Sequence, residues 1–352
     1  MSLIKILAVD VLNTLGNFSD VIDARSEGEF AEDHLPGAIN WPSLSNEERQ
    51  LVGIEYKQIS AFDAKKRGAV LVAKNIARHL EREVIHKPRD WQPLVYCWRG
   101  GKRSGSLALI LDQIGFKVTL VDGGYKAFRA ALVSDLAQLA AQFDYRVVCG
   151  TTGSGKTRLL QALAALGAQV LDLEALANHR SSVLGLIPGK PQPTQKAYDS
   201  LIWAALKSFD SSRPVYIESE SKKVGNVVIP EGLISAMRAA PCLQIELSED
   251  DRVALLLEDY DFFVKDIEFF CDRLGALTQA RGKDVVDDWQ TKSRNGDVAS
   301  VVRELLLKHY DPVYLQSMKR NFDLYGEAQT LRPAGHSLEA MGALAREMVL
   351  SS

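Results

Sequence analysis

Cys97 ends a short apolar run, "PLVYC" (93–97), and is followed directly by Trp98, Arg99, Gly100, Gly101, Lys102, Arg103 and Ser104. A thiol on a glycine turn, among cations and just ahead of a helix, has the surroundings in which a thiolate nucleophile works. The same backbone amides and positive charges can hold an anion carried on the sulfur, so the pattern suits covalent chemistry on an anionic donor. Cys149, Cys242 and Cys271 lie in apolar stretches and read as structural. A second loop poses a related problem for a phosphate. "GTTGSGKT", from Gly150 through Thr151, Thr152, Gly153, Ser154, Gly155 and Lys156 to Thr157, matches the phosphate-binding P-loop pattern in full. Its glycines let backbone amides converge on an anion at a helix N-terminus. Lys156 adds a point charge for the outer phosphates and Thr157 a hydroxyl suited to Mg²⁺.

Both loops need a strand before them and a helix after them. Strand-like runs at 21–25, 93–97 and 117–124 alternate with helical patterns at 63–85 and 104–115. A second series runs through 145–149, 168–174, 213–220 and 241–248, and from about 249 the pattern is mostly helical. The alternation predicts an α/β fold with parallel sheets flanked by helices. The helical stretch 131–144 is the seam, giving a first domain over 1–135 and a P-loop domain with a helical C-terminal region over 136–352. Glu218, at the end of "RPVYIE", is the candidate acid of a neighbouring strand.

A net charge of −3 with 25% charged residues argues against bulk coating of nucleic acid, though not against a local basic groove. No apolar run is long enough to span a membrane, and the start lacks the pattern of a secretory signal. The expectation is a cytoplasmic protein with reduced thiols.

"VIDARSEGEFAEDHLPGAINWP" (21–42) resembles the opening of a rhodanese domain, through Asp23, Arg25, Glu29–Phe30 and His34 to Asn40. In that resemblance Cys97 is the sulfur-accepting cysteine, while Asp23, Arg25 and His34 brace the fold. Arg103 lies six residues after the cysteine, one more than rhodaneses use. The loop therefore also fits the C-x5-R-S loop of tyrosine phosphatases, although Tyr96 stands where those enzymes carry histidine. An N-terminal rhodanese-like domain followed by a P-loop NTPase-like domain is similar to the tRNA 2-selenouridine synthase family. "CWRGGKRSGS", "VVCGTTGSGKT", "LEALANHRSSVLG" (173–185), "ESESKKVGN" (218–226) and "HYDPVY" (309–314) carry that similarity.

The resemblance implies an enzyme, a transferase, that replaces the sulfur of wobble 2-thiouridine in tRNA by selenium from selenophosphate. An S-geranyl intermediate formed from geranyl diphosphate lies between. Cys97 would carry selenium as a seleno-sulfide. Arg99, Lys102, Arg103, Ser104 and the amides of Gly100 and Gly101 would hold the donor anion, and Gly150–Thr157 the diphosphate. His179, Arg180 and Glu218 are candidates to lie near that diphosphate. Mg²⁺ is an expected companion of the diphosphate, with no metal ligand set legible. Lys126 and Arg129, and the cluster Arg281, Lys283, Lys292 and Arg294, are candidate tRNA contacts. A selenophosphate-producing enzyme is an expected partner and a membrane is not. The rival readings are a C-x5-R phosphatase or an ATP-dependent sulfurtransferase fused to a P-loop ATPase.

Overall fold

Short strands of β-branched and apolar residues lead into helices, and three of them, those before Gly100, Gly123 and Gly150, do so through glycine turns. The computed structural model describes residues 3–180, 185, 187 and 189–350. They form two units, Met1–Leu136 with Thr194–Ala204, and Ala137–Pro193 with Ala205–Ser352.

The first unit holds β1 (Ile4–Ile6), β2 (Asp20–Asp23), β3 (Ala38–Asn40), β4 (Pro93–Tyr96) and β5 (Thr119–Val121). They pair in the order β1-β5-β4-β2-β3, every pair parallel. All four residues of β4 are buried, as expected of a central strand covered on both faces. Ile22 and Val95 of the sheet pack with Ile76 of helix Ala61–His79 and with Leu107 and Leu111 of helix Lys102–Ile114. Trp41 and Trp91 close this core, and the Trp91 indole donates to Asp20 at 2.7 Å. Ser26 with Glu29 and Ser45 with Glu48 form capping boxes that start the two helices after β2 and β3. Residues 194–204, from just past the middle of the sequence, complete this unit. Arg129 pairs with Asp199, Trp203 donates to Asp135 at 2.7 Å, and Lys196 pairs with Glu32.

The second unit holds β6 (Tyr145–Cys149), β7 (Gln169–Leu171), β8 (Val215–Glu218), a hairpin of β9 (Lys223–Val224) with β10 (Val227–Val228), then β11 (Cys242–Ile245) and β12 (Gln329–Leu331). The sheet order is β12-β11-β6-β8-β7, again parallel throughout. Helix Leu338–Leu350 returns to pack Met341, Leu344 and Met348 against Leu159, Leu160 and Leu163 of helix Lys156–Ala165. The helices after Ser248 build their own core from Phe263, Phe270, Leu274, Trp289 and Val301.

Each strand-like run read from the sequence overlaps one of these strands, β2 starting one residue before its run, but β1, β3, the hairpin and β12 were not anticipated. β1 and β12 have three residues each and lie at sheet edges, where one mostly exposed face removes the long apolar run that marks a strand. The seam helix begins earlier than read, at Gly124, and runs to Leu139. Among the described residues no helix is long and apolar enough to cross a membrane.

Candidate functional site

Cys97 leaves the C-terminal end of β4, the middle strand, and Gly101 caps helix Lys102–Ile114. The thiol is only 3% exposed, and the hydroxyl of buried Ser104 donates to its Sγ at 3.1 Å. A pocket of about 290 Å³ in front of it is lined by Trp98, Arg99, Gly101, Lys102 and Arg103. The turn is shaped by contact with a second glycine pair. A Cβ on Gly124, which has φ +61°, would stand 2.3 Å from the Cys97 carbonyl oxygen and 2.4 Å from the Gly100 nitrogen. The Tyr125 N–H donates to that carbonyl at 2.8 Å, so the loop after β5 holds the loop after β4.

Arg103 corrects one expectation. It lines the pocket, but its guanidinium donates to Glu29 at 2.7 and 3.3 Å instead of standing free for an anion. Burial alone would raise the Glu29 carboxyl, but the Arg103 hydrogen bonds and charge win and hold it below its ordinary value. The exposed cations at this loop are Arg99 and Lys102. Ser104 is likewise turned to the sulfur. Asp23 and Arg25 form a buried pair at 2.6 Å, with Arg25 also donating to the Asp33 carbonyl, and His34 stacks on Phe30. They hold the β2–β3 connection together and stay out of the pocket lining.

Gly150 follows β6, again the middle strand, and helix Lys156–Ala165 starts after Gly155. Lys156 Nζ donates to the Gly150 carbonyl at 2.7 Å and lies 5.5 Å from the Tyr314 ring. The Gly150 N–H donates to the Tyr314 hydroxyl at 2.7 Å, and Arg252 donates to the Thr152 carbonyl at 2.9 and 3.0 Å. Side chains from remote segments thus clamp the first half of the loop. It opens into a cavity of about 1020 Å³. Its lining includes Ser154, Lys156, Thr157, Arg158 and Arg180 together with Leu255, Leu256, Val313, Met318, Phe322 and Leu338.

A wall of acids completes this cavity. Asp172, Glu174 and Glu220 line it beside Lys156. Burial, with Glu220 adding repulsion, pushes Glu174 up to about 8, and Lys156 only partly opposes this. Glu218 is placed differently from the expectation. Its carboxyl is fully buried, accepts the Glu174 N–H at 2.7 Å and leaves its other oxygen without a partner. Burial and the neighbouring acids raise it well above the usual range, so it holds a proton behind the cavity wall. His179 and Arg180 do line the cavity. Burial and then Arg273 lower the His179 imidazole, whose Nδ1 has no hydrogen-bond partner, and Arg180 donates to the Asp259 carbonyl at 2.6 Å. Ser181–Leu184 of the same motif lie outside the described residues. Among the described residues no three His, Cys, Asp or Glu side chains converge as a metal-binding group.

The expected nucleic-acid cations are largely neutralised. Arg129 is paired with Asp199, Lys292 with Asp288 and Glu304, and Arg294 with Glu268, while Arg281 donates to His309. Lys126 and Lys283 remain exposed.

The sequence profile of the Rhodanese-like domain matches residues 8–131, and that of the tRNA 2-selenouridine synthase AAA domain matches 143–276. The tRNA 2-selenouridine synthase of Marinobacter nauticus is 31% identical over 337 residues, covering 87% of this chain and 90% of that protein. This chain belongs to the tRNA 2-selenouridine synthase family. The synthase of Alcanivorax borkumensis is 35% identical across 71% of this chain and 69% of its own. That of Shewanella halifaxensis is 29% identical across 92% and 95%. Within this family's frame, the residues that sequence reasoning did not single out are Gly124, Tyr314, Arg252 and the acids Asp172, Glu174 and Glu220. Tyr314 and the acids fall inside or beside the quoted motifs, so a signal was present. Arg252 and Gly124 act through contacts that no local pattern announces.

Proposed function

We propose that this chain converts wobble 2-thiouridine of tRNA to 2-selenouridine in two stages, one at each loop. In the first, the 2-thio sulfur attacks the C1 carbon of geranyl diphosphate. The carbon–oxygen bond to diphosphate breaks, and the N3 proton of the base is released. The Gly150–Thr157 amides and Lys156 take up the charge on the departing diphosphate. In the second, the selenium of selenophosphate, bound in front of Cys97, attacks C2; the geranylthiolate leaves and takes a proton, and water cleaves the phosphorus–selenium bond to give phosphate and 2-selenouridine with its N3 proton restored. Arg99 and Lys102 hold the donor anion there, and an enzyme that makes selenophosphate supplies it.

The observation that carries the reading is the composition of the large cavity. Leu255, Leu256, Val313, Met318, Phe322 and Leu338 line the same cavity as the anion-binding loop. That pairing suits a diphosphate with an apolar tail better than a nucleotide, whose polar ring and ribose would meet aliphatic side chains. The test is nucleoside mass spectrometry on 2-thiouridine tRNA given purified protein and geranyl diphosphate, then selenophosphate. An S-geranyl nucleoside that becomes 2-selenouridine is expected. If ATP protects the protein from heating, geranyl diphosphate does not, and no geranyl mass appears, the ATPase rival replaces this reading.

A further inference from the structure

We infer that the outward face of helix Ala61–His79, continued by Arg82, holds the phosphate backbone of the tRNA; this rests on the tRNA reading above. The helix carries Lys65, Lys66, Arg67, Lys74 and Arg78 against a single acid, Asp63, in a chain whose net charge is −3, and the turn that adds Arg82 carries Glu81 and Glu83. All five cations and Arg82 are exposed. Lys66 pairs with Asp63 and Arg67 with Glu55, whereas Lys74, Arg78 and Arg82, a stripe at four-residue spacing, have no acid partner among the described residues. That separates this face from the neutralised cluster of Lys292 and Arg294. The helix also exposes an aromatic ring and an apolar side chain among its charges, Phe62 at 70% and Val70 at 54%. Cations interleaved with aromatic faces suit a phosphate backbone with unstacked bases nearby, as in an anticodon loop.

The opposite side of the same helix is tied to the thiol loop. Ile76 packs in one core with Leu107 and Leu111 of the helix that starts at Lys102. The Asn75 amide donates to the Ser43 carbonyl at 3.2 Å, and the Ser43 hydroxyl donates to the Arg103 carbonyl at 3.3 Å. A tRNA resting here lies one helix away from Cys97, on a surface fixed relative to it.

The test compares the wild-type chain with the triple variant Lys74→Glu, Arg78→Glu, Arg82→Glu, reading tRNA binding by fluorescence anisotropy across a salt series. The variant should lose on the order of a hundredfold in affinity at low salt, and its log–log salt slope should shrink by about 2–3. Should it melt early, the triple Gln variant reads the same slope. Unchanged affinity or an unchanged slope in a folded variant overturns the proposal. So does lost binding to phosphatidylserine vesicles with tRNA binding kept. A wild-type chain that binds no tRNA at low salt fails the tRNA reading itself, and this proposal with it.

Discussion

Cys97 and Gly150 occupy the same place in two different sheets, at the C-terminal end of the middle strand of five, just ahead of a helix. The surroundings then diverge. The thiol sits against Ser104 in a small pocket, and Glu29, which takes the guanidinium of Arg103, is held below its ordinary value by it. The phosphate loop opens on a cavity more than three times larger, where burial raises the Glu174 carboxyl to about 8. One site is built around an ionised clamp. The other sets the cation of Lys156 near a carboxyl that burial drives toward its neutral form. The shared strand–turn–helix element supplies amides to both, and the side chains that arrive from elsewhere decide the chemistry.

The sharpest break in this comparison is Cys97→Ser. Selenium incorporation should fall by on the order of 10⁴-fold or more, with S-geranylation of thiolated tRNA largely intact, as nucleoside mass spectrometry would read. Normal 2-selenouridine formation would remove Cys97 from the chemistry. Lys156→Ala should do the converse. Losing one charge at the departing diphosphate costs about 3 kcal/mol, roughly a hundredfold in geranylation, while supplied S-geranyl tRNA is still converted. Equal loss of both steps would mean that the two loops are not separate.

Smaller effects probe the two carboxyls. Glu29→Gln leaves Arg103 without its counter-charge, so the Tm of the first unit should drop by about 3–6 °C at neutral pH. The folded Glu29 lies below its unfolded value near 4.5, so its contribution is present above that pH and fades as pH falls through the folded value. The Tm difference should therefore close in acid. Glu174 has the opposite sign. Its folded value of about 8 exceeds the unfolded 4.5, so stability falls as pH rises across that window. Glu174→Gln should then add about 2 °C or more to the Tm at pH 9 and nothing at pH 5. A gain that is the same at both pH values would show that the carboxyl does not hold its proton.

Much of the fold was legible because parallel sheets leave buried apolar runs, and "PLVYC" and "YRVVC" each contain the strand expected of them. The two loops were legible for a related reason: glycines and cations at fixed spacing act locally. What sequence did not show acts at a distance. Nothing near Arg103 announces that Glu29, far back in the chain, takes its guanidinium. The acid wall was split among "LDLE" and "ESES", and only the packing of β7 beside β8 joins them. The exposed face of helix Ala61–His79 was read as a helix and no more, because which cations are paired is a tertiary fact.

The eleven-residue return of Thr194–Ala204 into the first unit bears on how the protein is made. A chain still being synthesised, released only as far as Leu136, already carries every strand around Cys97 but lacks the partners of Asp135 and Arg129. Roughly seventy further residues must emerge before Trp203 can close against Phe128, a delay of several seconds at ordinary elongation rates. During that interval the first unit waits with an open side, while the P-loop and its first helix are already leaving the ribosome. The thiol half of the protein is therefore finished only after the phosphate half has begun, and its assembly cannot be separated from that of its neighbour.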